Sequence, residues 1–141
     1  MMESYPMPLF VKLSISNMDS SLSWYKDVLN FESVFELPDK DGRIVMAHIR
    51  GKKYQDIMLV SEKNDQESNK KGIVLNFTVE DVHRFFENAN KMNAEVVEGP
   101  IDRPWNAREL ILNDPDGYLI TLSMQIDPEM TMDDIVDQVK A

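Results

Sequence analysis

The sequence predicts an α+β fold: two tandem βαβββ modules, each a concave mixed sheet carrying one helix, followed by a short C-terminal helix. Three observations lead to it. The order strand, helix, strand, strand, strand occurs twice, with a period of roughly 60 residues. In each half the apolar residues alternate at strand spacing, recur at helical spacing, then alternate again. Between the halves, residues 61–71, "SEKNDQESNKK", contain no apolar side chain and cannot bury anything. The layout is a first module over residues 1–62, a polar linker over 63–71, a second module over 72–125 and a helical tail over 126–141.

The first half opens with "PLFVKLSIS", in which Val11, Leu13 and Ile15 alternate with Phe10, Lys12 and Ser14. "NMDSSLSWYKDVLNF" reads as a helix, because Met18, Leu22, Tyr25, Val28 and Leu29 recur at helical spacing. Asn17 or Asp19 can cap its start, and Asn30 can adopt the left-handed conformation that ends it. "ESVFEL", "RIVMAHI" and "YQDIMLVS" are strands at hairpin spacing, with turns at Asp41-Gly42 and Gly51-Lys52.

The second half repeats the order. "GIVLNFTVE" alternates Ile73, Leu75, Phe77 and Val79 with Val74, Asn76 and Thr78. In "DVHRFFENANKM", Val82, Phe85, Phe86 and Ala89 form one helical stripe. "AEVVEGP", "ARELILN" and "GYLITLSM" supply three more strands. The tail carries a capping pattern at Thr131 and Asp134 ahead of Met132, Ile135, Val136 and Val139, which predicts a short amphipathic helix. Such a helix needs tertiary support, so packing on its own domain is the expectation and docking on a second subunit the alternative.

Composition removes several function classes. There is no cysteine, which excludes disulfides, thiolate nucleophiles and Cys-ligated metal centres. Lys and Arg number 15 against 25 Asp and Glu, a formal charge of −10 that repels nucleic acid and anionic membranes and attracts cations. The chain shows neither a signal-peptide pattern nor an apolar run of about 18 residues, so a cytoplasmic protein is expected.

Each helix covers one face of its sheet, and the other face must meet something else. Val11, Leu13 and Ile15, with Ile73, Leu75 and Phe77 and with Ile120 and Leu122, belong to the helix side. The opposite faces mix Phe10, Lys12, Ser14, Asp56 and Met58 in the first half with Val74, Asn76, Leu119, Thr121 and Ser123 in the second. Apolar walls with a few placed polar groups are what a small-molecule pocket requires. If the turn around Asp114-Pro115-Asp116-Gly117 holds two or four residues, Leu110 pairs with Thr121, and Arg108 and Leu110 join this face. A bulge reverses that register and presents Glu109 and Ile111 instead. Arg108 is then a partner for a ligand carboxylate or for Asp56, and Glu109 for the opposite case.

The repeated modules, the helix "SNMDSSLSWYKDVLNF" and the later "RPWNARELILNDPDGYLITL" together resemble the glyoxalase/bleomycin-resistance/extradiol-dioxygenase superfamily, also called the vicinal oxygen chelate fold, over residues 8–125. In its metal-dependent members, His, Gln or Glu ligands stand at four strand positions. Carried onto this chain, these fall on Phe10, Met58, Val74 and Thr121. None is a usual ligand for a divalent ion, so the expectation is no metal and no other cofactor. His48 and His83 read as structural or solvated residues.

The metal-free branch that the resemblance leaves is the bleomycin-resistance type, which sequesters a cationic planar drug in clefts of a homodimer. It is similar around Pro104-Trp105 and Arg108-Glu109, with Asn106 replacing a Gly and Leu110 a Phe. Trp105, on the loop "GPIDRPWNA", offers a flat surface for stacking. The expected function is therefore binding of an apolar or aromatic small molecule, cations included, by a homodimer. The expected ligand contacts are Phe10, Lys12, Asp56, Met58 and Val74 together with Asn76, Trp105, Arg108, Leu110 and Thr121. A metal-independent lyase or isomerase using Asp56 or Glu109 as a base of raised pKa is the alternative. A module with a vestigial pocket, acting through its tail helix, is a third.

Overall fold

A computed structural model of the chain describes residues 3–9, 11–61 and 73–141. Phe10 and the polar linker lie outside the described residues. The chain divides into two compact units, Met1–Lys70 and Lys71–Ala141.

Unit 1 runs β1 (Val11–Ile15), α1 (Met18–Leu29), β2 (Glu32–Pro38), β3 (Ile44–Arg50) and β4 (Asp56–Ser61). Its sheet has the order β1-β4-β3-β2, with β1 parallel to β4 and the other pairs antiparallel. The helix starts where the Asn17 side chain accepts the Ser20 N–H, and it stops at Asn30, whose φ of 59° is left-handed. Leu13, Ile15, Ala47, Ile49, Ile57 and Leu59 on the sheet pack with Tyr25, Val28 and Leu29 of α1 as the core.

Unit 2 repeats this with β5 (Val74–Thr78), α2 (Val82–Lys91), β6 (Glu95–Arg103), β7 (Ala107–Asn113) and β8 (Leu119–Gln125), in the order β5-β8-β7-β6. The register reproduces the duplication. Lys12, Met58, His48 and Phe35 form one cross-strand row in unit 1, and Asn76, Thr121, Ile111 and Glu98 form the corresponding row in unit 2. Two tandem βαβββ modules of mixed sheet are thus observed.

The β7–β8 connection spans five residues, Asp114 to Tyr118, so Leu110 pairs with Leu122 and Ile111 with Thr121. This corrects the short-turn register. The Asp114 carboxylate accepts the Asp116 and Tyr118 N–H groups, which holds Tyr118 in the turn and delays the strand by one residue. Since the side-chain period is two, that single residue moves Arg108 and Leu110 to the helix side and brings Glu109 and Ile111 beside Thr121. β6 passes through Gly99, whose φ of 103° and close approach to the Glu109 carbonyl leave no room for a Cβ.

The tail forms α3 (Met132–Lys140) with the expected capping box between Thr131 and Asp134. None of its residues is buried, so packing on its own domain is not what the structure shows. Asn106 instead ties the start of the tail down: its amide donates to the Asp127 carbonyl at 2.8 Å and accepts the Asp127 N–H at 2.9 Å.

Candidate functional site

On unit 1, β4 opens with Asp56, whose side chain is fully buried at the end of the non-helix face. Its carboxylate accepts Arg50 Nε at 3.0 and 3.1 Å, Arg50 Nη2 at 2.9 Å and the Tyr5 hydroxyl at 2.8 Å, and His48 Nε2 lies 2.7 Å away. Burial works to raise the Asp56 pKa, but the hydrogen bonds from Arg50, His48 and Tyr5 outweigh it and hold the carboxyl below the usual carboxylate range. Facing an ionised carboxylate, His48 Nε2 carries the hydrogen. Arg50 also donates to the Glu3 carbonyl at 2.7 Å and lies 4.3 Å over the Tyr5 ring, while Tyr5 accepts the Tyr54 N–H. This network corrects the reading of Asp56 as a base of raised pKa: its charge is neutralised and its lone pairs are engaged.

Beyond it, the same face presents Lys12, Met58 and His48 in one row, ending at Phe35, which is 55% exposed. Ser14, Val60, Met46 and Leu37 make the next row. The alternation is enforced from below, where Leu13, Ala47, Ile49 and Leu59 point into the core.

On unit 2, Thr121 is buried between Asn76 and Ile111, and Val74 stands half exposed on the same face. Next to it the buried Glu109 accepts Arg103 Nε at 3.0 Å on one oxygen and the Trp105 indole N–H at 3.2 Å on the other. Arg103 turns its remaining nitrogens to Glu98, both at 3.1 Å, and its guanidinium sits 5.7 Å from the Trp105 ring centre. The bonds to Glu98 and Glu109 raise its pKa above the ordinary arginine value. Trp105 is consequently fixed in orientation while 46% exposed, so it is not a buried loop anchor. Asn106 takes φ 62° at the position where the related pattern has Gly, a conformation that Asn tolerates better than most residues.

The structure groups Lys12, Asp56 and Met58 on the unit 1 face, and Val74, Asn76 and Thr121 on the unit 2 face. Leu110 is fully buried on the helix side. Arg108 lies there too, in a bidentate pair with Asp102 at 2.6 and 3.1 Å and 3.4 Å from His83. Tyr5, His48, Arg50, Glu98 and Arg103 were not anticipated as site residues. For His48 and Arg50 a signal existed, since their spacing of two puts them on one face and the hairpin sets Arg50 opposite Asp56. Tyr5 precedes every element, and no sequence pattern announces it. Unit 1 also has a groove of about 340 Å³ between α1 and β2, lined by Leu22, Lys26, Phe31 and Glu36, on the other side of the sheet from these residues.

The family described as the glyoxalase/bleomycin resistance protein/dioxygenase superfamily matches residues 9–122. The chain belongs to this superfamily. Among solved structures of similar fold is TioX from Micromonospora sp. ML1, with a TM-score of 0.68 and 22% identity over 87% of this chain and 98% of that one. TnmS3, an antibiotic binding protein from Streptomyces sp. CB03234, gives 0.67 and 20% over 89% and 99%. The fosfomycin resistance protein FosX from Listeria monocytogenes, solved as a mutant complexed with Mn(II) and 1S,2S-dihydroxypropylphosphonic acid, gives 0.66 and 14% over 89% and 93%. No curated protein matches the chain.

Superfamily members that use a metal make its fit here a fair question. Met58 and Thr121 hold corresponding places in the two units, yet offer a thioether and a neutral hydroxyl, and Val74 offers nothing. Among the described residues, no group of three His, Asp or Glu side chains could hold an ion, and no buried side-chain nitrogen or oxygen lacks a hydrogen-bond partner. This donor set does not suit a divalent cation.

Proposed function

We propose that the chain binds an apolar or aromatic small molecule, cations included, on the non-helix sheet faces without a metal, in the manner of antibiotic sequestration. The carrying observation is Trp105: a half-exposed indole held by Glu109 and flanked by the Arg103–Glu98 pair. An aromatic surface whose orientation is already set loses little entropy on binding, and carboxylates beside it favour a cationic ring. Support comes from TnmS3, an antibiotic binding protein of the same fold, and from FosX, a fosfomycin resistance protein. We take the working form to be a cytoplasmic homodimer, which light scattering at micromolar concentration tests.

Fluorescence titration with ethidium, a planar aromatic cation, tests the binding mode. Saturable quenching that Trp105→Ala weakens at least tenfold is the expected result, a loss within the range for an aromatic hot spot. Equal affinity for the wild type and Trp105→Ala, or no saturable binding of any aromatic probe, overturns it.

A further inference from the structure

We infer that the outer edge of β2, with the groove between β2 and α1, takes a short extended peptide carrying apolar and basic side chains. This surface is separate from the ligand site proposed above and does not depend on it. Three observations carry it. β2 ends the sheet order β1-β4-β3-β2 and, among the described residues, pairs with β3 alone, so alternate backbone groups along it point away from the sheet. All but one of its residues are exposed. Beside that edge lies the groove of about 340 Å³, with Leu22, Tyr25 and Phe31 along it and Lys26, Glu32 and Glu36 as its charged residues. Tyr25 and Phe31 are buried, whereas the three charged residues are exposed. On the opposite face of the same strand, Phe35 is 55% and Leu37 42% exposed. A strand added to a sheet edge supplies main-chain hydrogen bonds and sends alternate side chains to the two faces, and β2 offers apolar contact on both.

Charge decides between a foreign peptide and a second copy of the chain. β2 carries Glu32 and Glu36 and no basic residue, so pairing with its own copy sets like charges against each other. Lys26 offsets one of the two carboxylates, which leaves the groove with a net negative charge suited to Lys or Arg. The Ser33 hydroxyl donates to Glu36 at 2.6 Å and holds that carboxylate on the helix side. Geometry limits the length of the partner. The register of β2 shifts between Ser33 and Phe35 and again between Leu37 and Pro38, so residues 35–37 are the regular stretch. Such irregularities blunt long edge-to-edge pairing and leave room for a few residues only.

The test uses the full chain and the acetylated, amidated peptide Lys-Val-Leu-Val-Lys, which puts leucine and lysines on one face and valines on the other. Calorimetry should show saturable binding, with the charge-reversed Glu-Val-Leu-Val-Glu at least tenfold weaker. Glu36→Lys, at an exposed position, should invert that preference. N-methylation of one alternate set of peptide amides should abolish binding and of the other set should spare it, since only one set faces β2. Hydrogen exchange of the amides of residues 32–38 should slow when the lysine peptide is added. No saturable binding of the lysine peptide overturns the site. Equal loss with either N-methylated set overturns strand addition, and a preference untouched by Glu36→Lys overturns the assignment of the groove. Protection of the β2 amides that rises with protein concentration in the absence of peptide gives the edge to a second copy and overturns the peptide reading.

Discussion

At Asp56, burial and hydrogen bonding act in opposite directions, and hydrogen bonding wins. A carboxyl whose folded pKa lies below its unfolded one stabilises the fold above the ordinary carboxylate range, and that contribution fades as pH falls through the folded value. Asp56→Asn leaves the buried Arg50 without its partner and should cost about 3 kcal/mol at pH 7. Urea unfolding at a series of pH values checks this: the gap between variant and wild type should close below about pH 4. Asn106 carries two constraints at once, a φ of 62° and a two-point bond to Asp127. Asn106→Gly relieves the first and loses the second, for an expected loss of about 1–2 kcal/mol in the same assay.

Among the elements, β6 depends most on one small residue. A Cβ at Gly99 collides with the Glu109 carbonyl on β7, and the φ of 103° disfavours any side chain. Gly99→Ala should destabilise unit 2 by about 2 kcal/mol or more and shift Trp105 emission, because Glu109 orients that indole. α3 is the opposite case. Its nine residues are well capped but bury nothing. Truncation after Met130 should move the unfolding midpoint by no more than about 2 °C. A larger drop in a calorimetric scan means the helix packs on a surface outside its own unit.

For the whole molecule, the donor chemistry and the charge make distinct predictions. Titration calorimetry with Ni²⁺, Zn²⁺ and Mn²⁺ should show no stoichiometric site, since Met58, Val74 and Thr121 offer no usual ligand and, among the described residues, no three His, Asp or Glu side chains group to hold an ion. Tight one-to-one binding would remove the basis for a metal-free function. With a formal charge of −10, association with aromatic cations should weaken as salt rises, through loss of long-range attraction.

Periodicity alone sufficed for the doubled βαβββ order, the caps at Asn17, Asn30 and Thr131, and the membership of most sheet faces, because these follow from spacing along one strand or helix. Lys12, Met58, Asn76 and Thr121 could be assigned to the non-helix side on that basis. Where the outcome depended on a count across a turn, spacing was not enough: one extra residue held by Asp114 put Arg108 and Leu110 on the other face. Nor could composition reveal that Asp56 would be enclosed by Tyr5, His48 and Arg50, which come from the N-terminal segment and β3. Local sequence determined the elements and their amphipathic faces. Tertiary structure decided which charges meet, because ion pairs and hydrogen bonds act between neighbours in space, and Tyr5 and Asp56 are 51 residues apart along the chain.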